Sequence, residues 1–231
     1  MKKYIKILLI AFILISLGYV QYKSPNNQNT KQVFNESKKY VALTFDDGPH
    51  YKNTKLLLDG LRERNVKATF FIVGQNIGGN EEILKQMKED GHLIGNHTYS
   101  HKNLFRLSKT RILNEIDKTN DLISSITGEV PSYFRPSYGN SNDKIEHLTD
   151  MKTVLWNCDS LDWKLRNSNR ITKRVLNSVH DGSIILMHDI YKTSVNAALD
   201  IIDRLEKEGY EFVTVEELAK LNAEVNANLL Y

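Results

Sequence analysis

The sequence predicts an α/β fold in which parallel strands alternate with helices and curl into a barrel. Three observations carry that expectation. From about Lys39 onward, short apolar runs alternate with amphipathic stretches, the pattern of parallel βα units. Glycines stand where helices should end. Polar residues able to do chemistry recur just after the apolar runs, where barrel enzymes gather their active sites. Seven candidate strands describe a barrel like the eight-fold one with one unit missing or distorted.

In chain order, the apolar run Tyr40–Phe45 is the first strand and the amphipathic stretch Thr54–Arg64 its helix. Ala68–Val73 is the second strand, followed by a helix over Glu81–Asp90 that Gly91 ends. Leu93–Asn96 is the third strand, before the longest helix, Lys109–Thr127. Tyr133–Arg135 and Thr153–Asn157 are the fourth and fifth strands, with a short helix over Asp143–Thr149 between them. A helix over Ile171–Val179 precedes the sixth strand, Ser183–Met187, and Val195–Glu208 follows it, ended by Gly209. Phe212–Thr214 is the seventh strand. Thr214 and Glu217 have the spacing of a capping box and open a last helix from Val215. The pair Phe70-Phe71 is read as barrel packing. Cys158, on the fifth-strand run, is read as a small buried residue, because no motif makes it a nucleophile.

Ahead of this unit, Lys2, Lys3 and Lys6 precede an uncharged apolar run, Ile7 to Val20, and then a stretch rich in Asn, Gln, Lys and Ser. This is the n-region and h-region pattern of a secretory signal. Residues 1–23 are expected to be an uncleaved signal anchor, since no small-x-small cleavage site follows the run, with a cleaved signal peptide as the alternative. Residues 24–38 are expected to be a flexible linker and 39–231 the catalytic domain. The lysines before the run put Met1 on the cytoplasmic side and the rest outside, an extracytoplasmic protein held at the cell membrane. The 231 residues carry 31 Lys and Arg against 28 Asp and Glu, a net charge of +3. The basic residues are spread along the sequence without a long stripe or interleaved aromatics, so no nucleic-acid partner is expected. A single cysteine excludes an internal disulfide and a multi-cysteine zinc site. Oligomeric state is left open.

The chemistry is concentrated in Thr44-Phe45-Asp46-Asp47-Gly48-Pro49 and His97-Thr98-Tyr99-Ser100-His101. Asp47, His97 and His101 would give a metal one carboxylate and two imidazoles. That set leaves a position open for water, as a hydrolytic site requires, and leaves Asp46 free as a base. The His97/His101 spacing is read as two rings on one side of a helical turn. Asp46–Asp47 follow the first strand, His97 the third, Arg135 the fourth, Asp159–Trp163 the fifth and His188 the sixth, so residues far apart in sequence would meet on one face. Taken singly, each has a plain structural role open to it: Asp47 a turn residue, the histidines a solvated face, Arg135 a surface ion pair, His188 a core histidine. His50, His92, His147 and His180 belong to no motif and are read as surface or capping residues.

With these residues in place, the chain resembles the NodB-type polysaccharide deacetylases, carbohydrate esterase family 4, over Lys39 to Leu221. Five motifs stand in the family's order: Thr44–Pro49, His97–His101, Arg135-Pro136-Ser137-Tyr138-Gly139, Asp159-Ser160-Leu161-Asp162-Trp163 and Leu186-Met187-His188-Asp189. The stretches Lys67–Gly74 and Gly91–His101 look most like those of bacterial peptidoglycan N-acetylglucosamine deacetylases. The third motif departs at Ser137, where the family usually has a second proline.

The resemblance implies a distorted (β/α)7-type barrel, the NodB homology fold, with its active site at the C-terminal ends of the strands. It implies Asp46 as catalytic base, Arg135 as its partner, His188 as general acid and Asp162 as the carboxylate orienting it. Asp47, His97 and His101 match the metal ligands, for zinc or else cobalt, manganese or nickel. Tyr138 matches the residue whose backbone N–H faces the oxyanion, and Trp163 and Leu186 match residues lining the acetyl pocket. The implied reaction is hydrolysis of N-acetyl groups of N-acetylglucosamine in peptidoglycan, with release of acetate and resistance to lysozyme as its consequence. Chitooligosaccharide, poly-N-acetylglucosamine and O-acetylated xylan are the alternative glycans.

Overall fold

The computed structural model describes residues 38–228. The predicted signal segment 1–23, and the linker 24–38 except for its last residue, lie outside the described residues. Among the described residues no helix is long and apolar enough to cross a membrane.

Eight strands, all paired in parallel, form one curled sheet. They are β1 (Lys39–Asp46), β2 (Thr69–Ile72), β3 (Leu93–Asn96), β4 (Tyr133–Phe134), β5 (Lys152–Thr153), β6 (Cys158–Asp159), β7 (Ser183–His188) and β8 (Tyr210–Val213). The order is β5-β4-β3-β2-β1-β7-β6. One edge of β1 is shared, with β8 along Lys39–Ala42 and β2 along Thr44–Asp46. Among the described residues β5 and β6 do not pair, so the barrel is open between them. The helices are α1 (Asn53–Glu63), α2 (Glu81–Glu89), α3 (Lys109–Thr127), α4 (Asp143–Glu146), α5 (Asp162–Leu165), α6 (Ser168–Leu176), α7 (Lys192–Lys207) and α8 (Val215–Asn228). This is the distorted (β/α)7-type barrel expected from the sequence.

Most predicted elements fall within a few residues of the observed ones, and two differences bear on the site. The predicted strand Thr153–Asn157 is two strands: β5 covers only Lys152–Thr153, and after an unpaired link β6 takes Cys158–Asp159. The link is where the barrel opens. The one-turn helix α5 was not foreseen, because four residues carry too little periodicity to be seen.

Strand alternation sorts the side chains. Val41, Leu43 and Phe45 of β1, Phe70 and Ile72 of β2, and Ile185 and Met187 of β7 pack outward against α1, α2, α6 and α7 in the main core. Each such fully buried side chain contributes roughly 1.5–3 kcal/mol through apolar burial. The alternate positions Ala42, Phe71 and Tyr133 face the barrel interior, where they form a smaller core with Val215 and Leu218 of α8. Phe70 and Phe71 are both packing residues, as read, although they serve opposite faces. The Thr214/Glu217 capping box forms, each residue's side chain accepting the other's backbone N–H. Cys158 is buried, and burial pushes its thiol pKa up. His92 is a correction: it is 8% exposed rather than at the surface, with Nδ1 accepting the Ala68 N–H and its ring edge-on to Phe70. Burial pulls its pKa to about 4, so it stays neutral.

Candidate active site

Sheet register brings the motif residues to one level. Asp46, the last residue of β1, stands opposite His188 of β7 and Phe71 of β2. Next along, Ile72 stands opposite Asn96, and Asn96 opposite Phe134. His97 and Arg135 are therefore the first residues beyond neighbouring strands. Thr44 and Asp46, two apart on β1, both reach Arg135, as alternation requires. The result is a cavity of about 370 Å³ lined by Asp46, Asp47, His97, His101, Tyr138, Gly139, Trp156, Asp159, Trp163, Leu186 and His188. All ten residues named from the sequence line it or bond directly to a residue that does.

Arg135 is fully buried and its guanidinium is spent on fixing the site. Nη1 donates to Asp46 Oδ1 at 2.7 Å and to Thr44 Oγ1 at 2.8 Å, Nε to Val154 O, and Nη2 to Leu155 O. Its flat face lies 4.1 Å from the Phe71 ring centre. Burial draws the Arg135 pKa down, and the Asp46 carboxylate opposes that. Asp46 is thereby held by one oxygen, and Oδ2 is turned towards His97, 3.6 Å from Nε2.

The two histidines are not on a helical turn. Residues 97–101 form an irregular loop after β3, with Thr98 at φ 67° and His101 at φ 53°, and it is this reversal that brings the rings together, 4.9 Å between centres. The loop is held from several sides. Asn96 Oδ1 accepts the Thr98 N–H, and the Asn96 amide donates to Ile116 O and to Asn120 of α3. The buried Glu115 carboxylate, also from α3, accepts both the N–H and the hydroxyl of Ser100. Ser137 replaces the usual proline with a hydroxyl 3.0 Å from Thr98 Oγ1, which in turn accepts the His101 N–H.

The donor set fits a metal. His97 Nδ1 lies 2.6 Å from the Arg135 carbonyl, which can only accept, so Nδ1 carries a proton and Nε2 is the nitrogen left to face the cavity. Burial, then the neighbouring His97, holds His101 below the usual histidine pKa and favours its neutral, ligating form. Asp47 Oδ1 lies 3.6 Å from His97 Nε2 and 3.4 Å from His101 Nε2. Ligands about 2.1 Å from a shared tetrahedral ion stand about 3.4 Å apart. Charge agrees: Asp46 is matched by Arg135 at 2.7 Å and Asp162 by His188 at 2.7 Å, while Asp47 hydrogen-bonds to neither and meets His188 only at 4.0 Å.

His188 faces this cluster, Nε2 4.0 Å from Asp47 Oδ2. Asp162 grips it twice, accepting the ring Nδ1–H through Oδ1 and the backbone N–H through Oδ2, both at 2.7 Å. Burial alone would lower the His188 pKa; the Asp162 bond and charge, helped by Asp46 and Asp47, outweigh it and raise it to about 9. Burial likewise opposes Asp162, but its bonds to His188 hold its pKa below the ordinary value. The remaining wall is Leu186, half-exposed Trp163 and Tyr138, whose ring stands edge-on to His101 and whose φ of 62° makes it another left-handed residue.

Besides Glu115, Trp156 and Asp189 carry parts of the site that the motifs assign to no role. Trp156, on the link between β5 and β6, lines the cavity so closely that a Cβ on Gly139 (φ 66°) would come within 2.6 Å of its ring. Asp189, present in a motif but given no role, is fully buried; burial lifts its pKa to about 7, partly offset by the Thr54 hydroxyl that donates to Oδ2. Its carboxylate packs against Gly48, where a Cβ would lie 2.4 Å from Oδ2. The only advance signal was each residue's place beside a motif.

Residues 34–154 match the polysaccharide deacetylase family. Over 197 residues the chain is 41% identical to the peptidoglycan-N-acetylmuramic acid deacetylase PdaC of Bacillus subtilis (strain 168), covering 85% of this chain and 42% of that one. Over 183 residues it is 40% identical to the peptidoglycan-N-acetylglucosamine deacetylase PgdA of Listeria monocytogenes, covering 79% and 39%. The chain thus spans about two-fifths of the length of these relatives. The solved structure of peptidoglycan deacetylase PdaC from Bacillus subtilis superposes with a TM-score of 0.81 at 42% identity, covering 84% of this chain and 96% of that one.

Proposed function

We propose that this chain, which belongs to the polysaccharide deacetylase family, is a metal-dependent hydrolase removing N-acetyl groups from N-acetylglucosamine units of peptidoglycan. The observation that carries the reading is the pairing of opposite roles across one cavity. A three-donor cluster with a free carboxylate oxygen beside it faces a histidine kept protonated by Asp162. A divalent ion held by Asp47, His97 and His101, zinc by the donor chemistry, would polarise the acetyl carbonyl and lower the pKa of water to about 7.

The protein's own groups supply the rest. Asp46 Oδ2, with Oδ1 fixed by Arg135, takes the proton of the attacking water. The Tyr138 N–H meets the oxyanion. His188 Nε2 gives its proton to the departing nitrogen, and Asp162 holds the imidazolium as it does so. Leu186 and Trp163 wall the acetyl methyl. Acetate leaves and a free amine stays on the glycan. The names of both sequence relatives support peptidoglycan as the polymer, and that of PdaC makes the muramic acid acetyl group the competing position.

The sequence pattern of residues 1–37 supports an extracytoplasmic location with residues 1–23 as the membrane tether, and 39–231 as the catalytic unit. The test is acetate release from N-acetylated peptidoglycan by the full chain with zinc, beside Asp46→Asn. Release by the wild type, lost by at least about 10²-fold in the variant, is expected. No release, with zinc bound, would rule out peptidoglycan and turn the search to chitooligosaccharide, poly-N-acetylglucosamine or xylan.

A further inference from the structure

Next to the cavity wall on the His188 side stands a cation that the reaction does not use, bonded to the wall residue Trp163. Arg166 follows α5 directly, and its guanidinium carbon lies 3.1 Å from the centre of the Tyr191 ring. Its Nε donates to the carbonyl of Trp163, a residue of the cavity wall, at 3.0 Å. Tyr191 in turn has its ring centre 6.5 Å from that of His188. Arg166 is thus clamped between one wall residue and the neighbour of another, although it is exposed to solvent. Its two Nη atoms make no hydrogen bond or ion pair with any described residue. A guanidinium held over a ring with Nε occupied presents its remaining N–H groups in a planar fork that matches a carboxylate.

The backbone supports a positioned rather than an incidental side chain. The one-turn helix α5 is bracketed by two non-glycine residues in the left-handed region, Leu161 at φ 51° and Arg166 at φ 48°. Such conformations are costly for residues other than glycine or asparagine, and they gather at functional segments. Position 166 could be glycine at lower cost if only the turn mattered.

Charge extends the same way. Residues 164–174 include Lys164, Arg166, Arg170, Lys173 and Arg174 and no carboxylate. Arg170, Lys173 and Arg174 line an open groove of about 550 Å³ that begins at Leu165 of α5.

We propose that Arg166 recognises a carboxylate of the bound strand, so that the cleft selects an acidic glycan over a neutral one. This rests on the deacetylase reading above and deepens it. Peptidoglycan bears such groups on its lactyl ethers and peptides, whereas chitooligosaccharide and xylan backbones of acetylated sugars alone do not.

The test uses the full chain with zinc and two polymers, acetylated peptidoglycan and the same material with its carboxyls capped as methylamides. Capping is expected to raise the wild-type KM roughly twofold to fivefold with little change in kcat, as for one solvent-exposed charge pair. In Arg166→Gln the two KM values should converge, and Arg166→Lys should keep part of the difference. Equal KM values for the two polymers in the wild type would overturn the proposal while leaving the deacetylase reading intact. So would an Arg166→Gln enzyme that still discriminates, with Arg166 then only a stacking partner of Tyr191. Acetate release from neither polymer would overturn the deacetylase reading, and this inference with it.

Discussion

The Asp162–His188 pair is where single atoms decide the chemistry. Two Asp162 oxygens take two different protons of His188, so the carboxylate fixes both ring orientation and charge. Because the folded pKa of His188 is raised to about 9, its pairing stabilises the fold fully below the unfolded value of about 6.5. That stabilisation is lost as pH rises through about 9. The acid role follows the same sign, so activity should fall on the alkaline side. Since Asp46 and Asp47 also raise this pKa, a cation held by Asp47 should lower it, so the alkaline limb of the metal-loaded enzyme should lie below about 9. Asp162→Asn removes the largest raising influence and leaves burial to act, so the limb should shift acidward by at least about one unit. A loss of about 10²-fold or more in kcat near pH 8 should accompany the shift. The kcat–pH profiles of both proteins measure this, and superimposable profiles would remove His188 from the acid role.

At the scale of elements, the loop carrying His97 and His101 depends on a helix that never enters the cavity. Glu115 of α3 is buried and accepts two bonds from Ser100, one residue before His101. In Glu115→Ala the Ser100 N–H loses its partner, at a cost of about 1–3 kcal/mol. Metal affinity should then weaken by roughly 10–100-fold, as when other outer supports of metal ligands are cut. Competition with a zinc-binding dye measures it, with circular dichroism as the control for folding; unchanged affinity would mean the loop holds its shape without α3. This dependence also marks the boundary of what the sequence made legible. Asp46, Asp47, His97, His101, Arg135, Asp162 and His188 could be named because each ends a strand or lies in a short motif, and strand ends of a parallel sheet converge. The expected helical turn at His97–His101 failed because spacing of four is compatible with several backbones, and here two left-handed residues make a loop instead. Glu115, Trp156 and Arg166 were invisible for another reason. Their roles come from contacts with segments 15, 17 and 25 residues away respectively, at Ser100, Gly139 and Tyr191, which no local pattern encodes.

Across the whole molecule, strain and unbalanced charge are concentrated at one end of the barrel. Of the seven non-glycine residues with positive φ among the described residues, only Asn65 lies away from the cavity loops; the others are Asp47, Thr98, His101, Tyr138, Leu161 and Arg166. Each costs of order 1–3 kcal/mol and persists because the packed sheet and outer helices over-determine it. Among the described residues, the apolar core under α1, α2, α6 and α7 carries no such residue apart from Asn65. The fold therefore spends stability at the cavity, and a bound dication facing Asp47 should return part of it. A ligand at a hundred times its dissociation constant adds about 2.7 kcal/mol to the native state. For a domain of this size that corresponds to a rise in Tm of roughly 5–10 °C. Removing metal with a chelator should lower Tm by that amount and abolish acetate release, and adding zinc back should restore both together. Asp47→Asn should show the low Tm with or without zinc, because it deletes the one carboxylate of the three-donor cluster. A Tm indifferent to zinc in the wild type, with activity surviving the chelator, would mean that Asp47, His97 and His101 form a polar cluster without a metal.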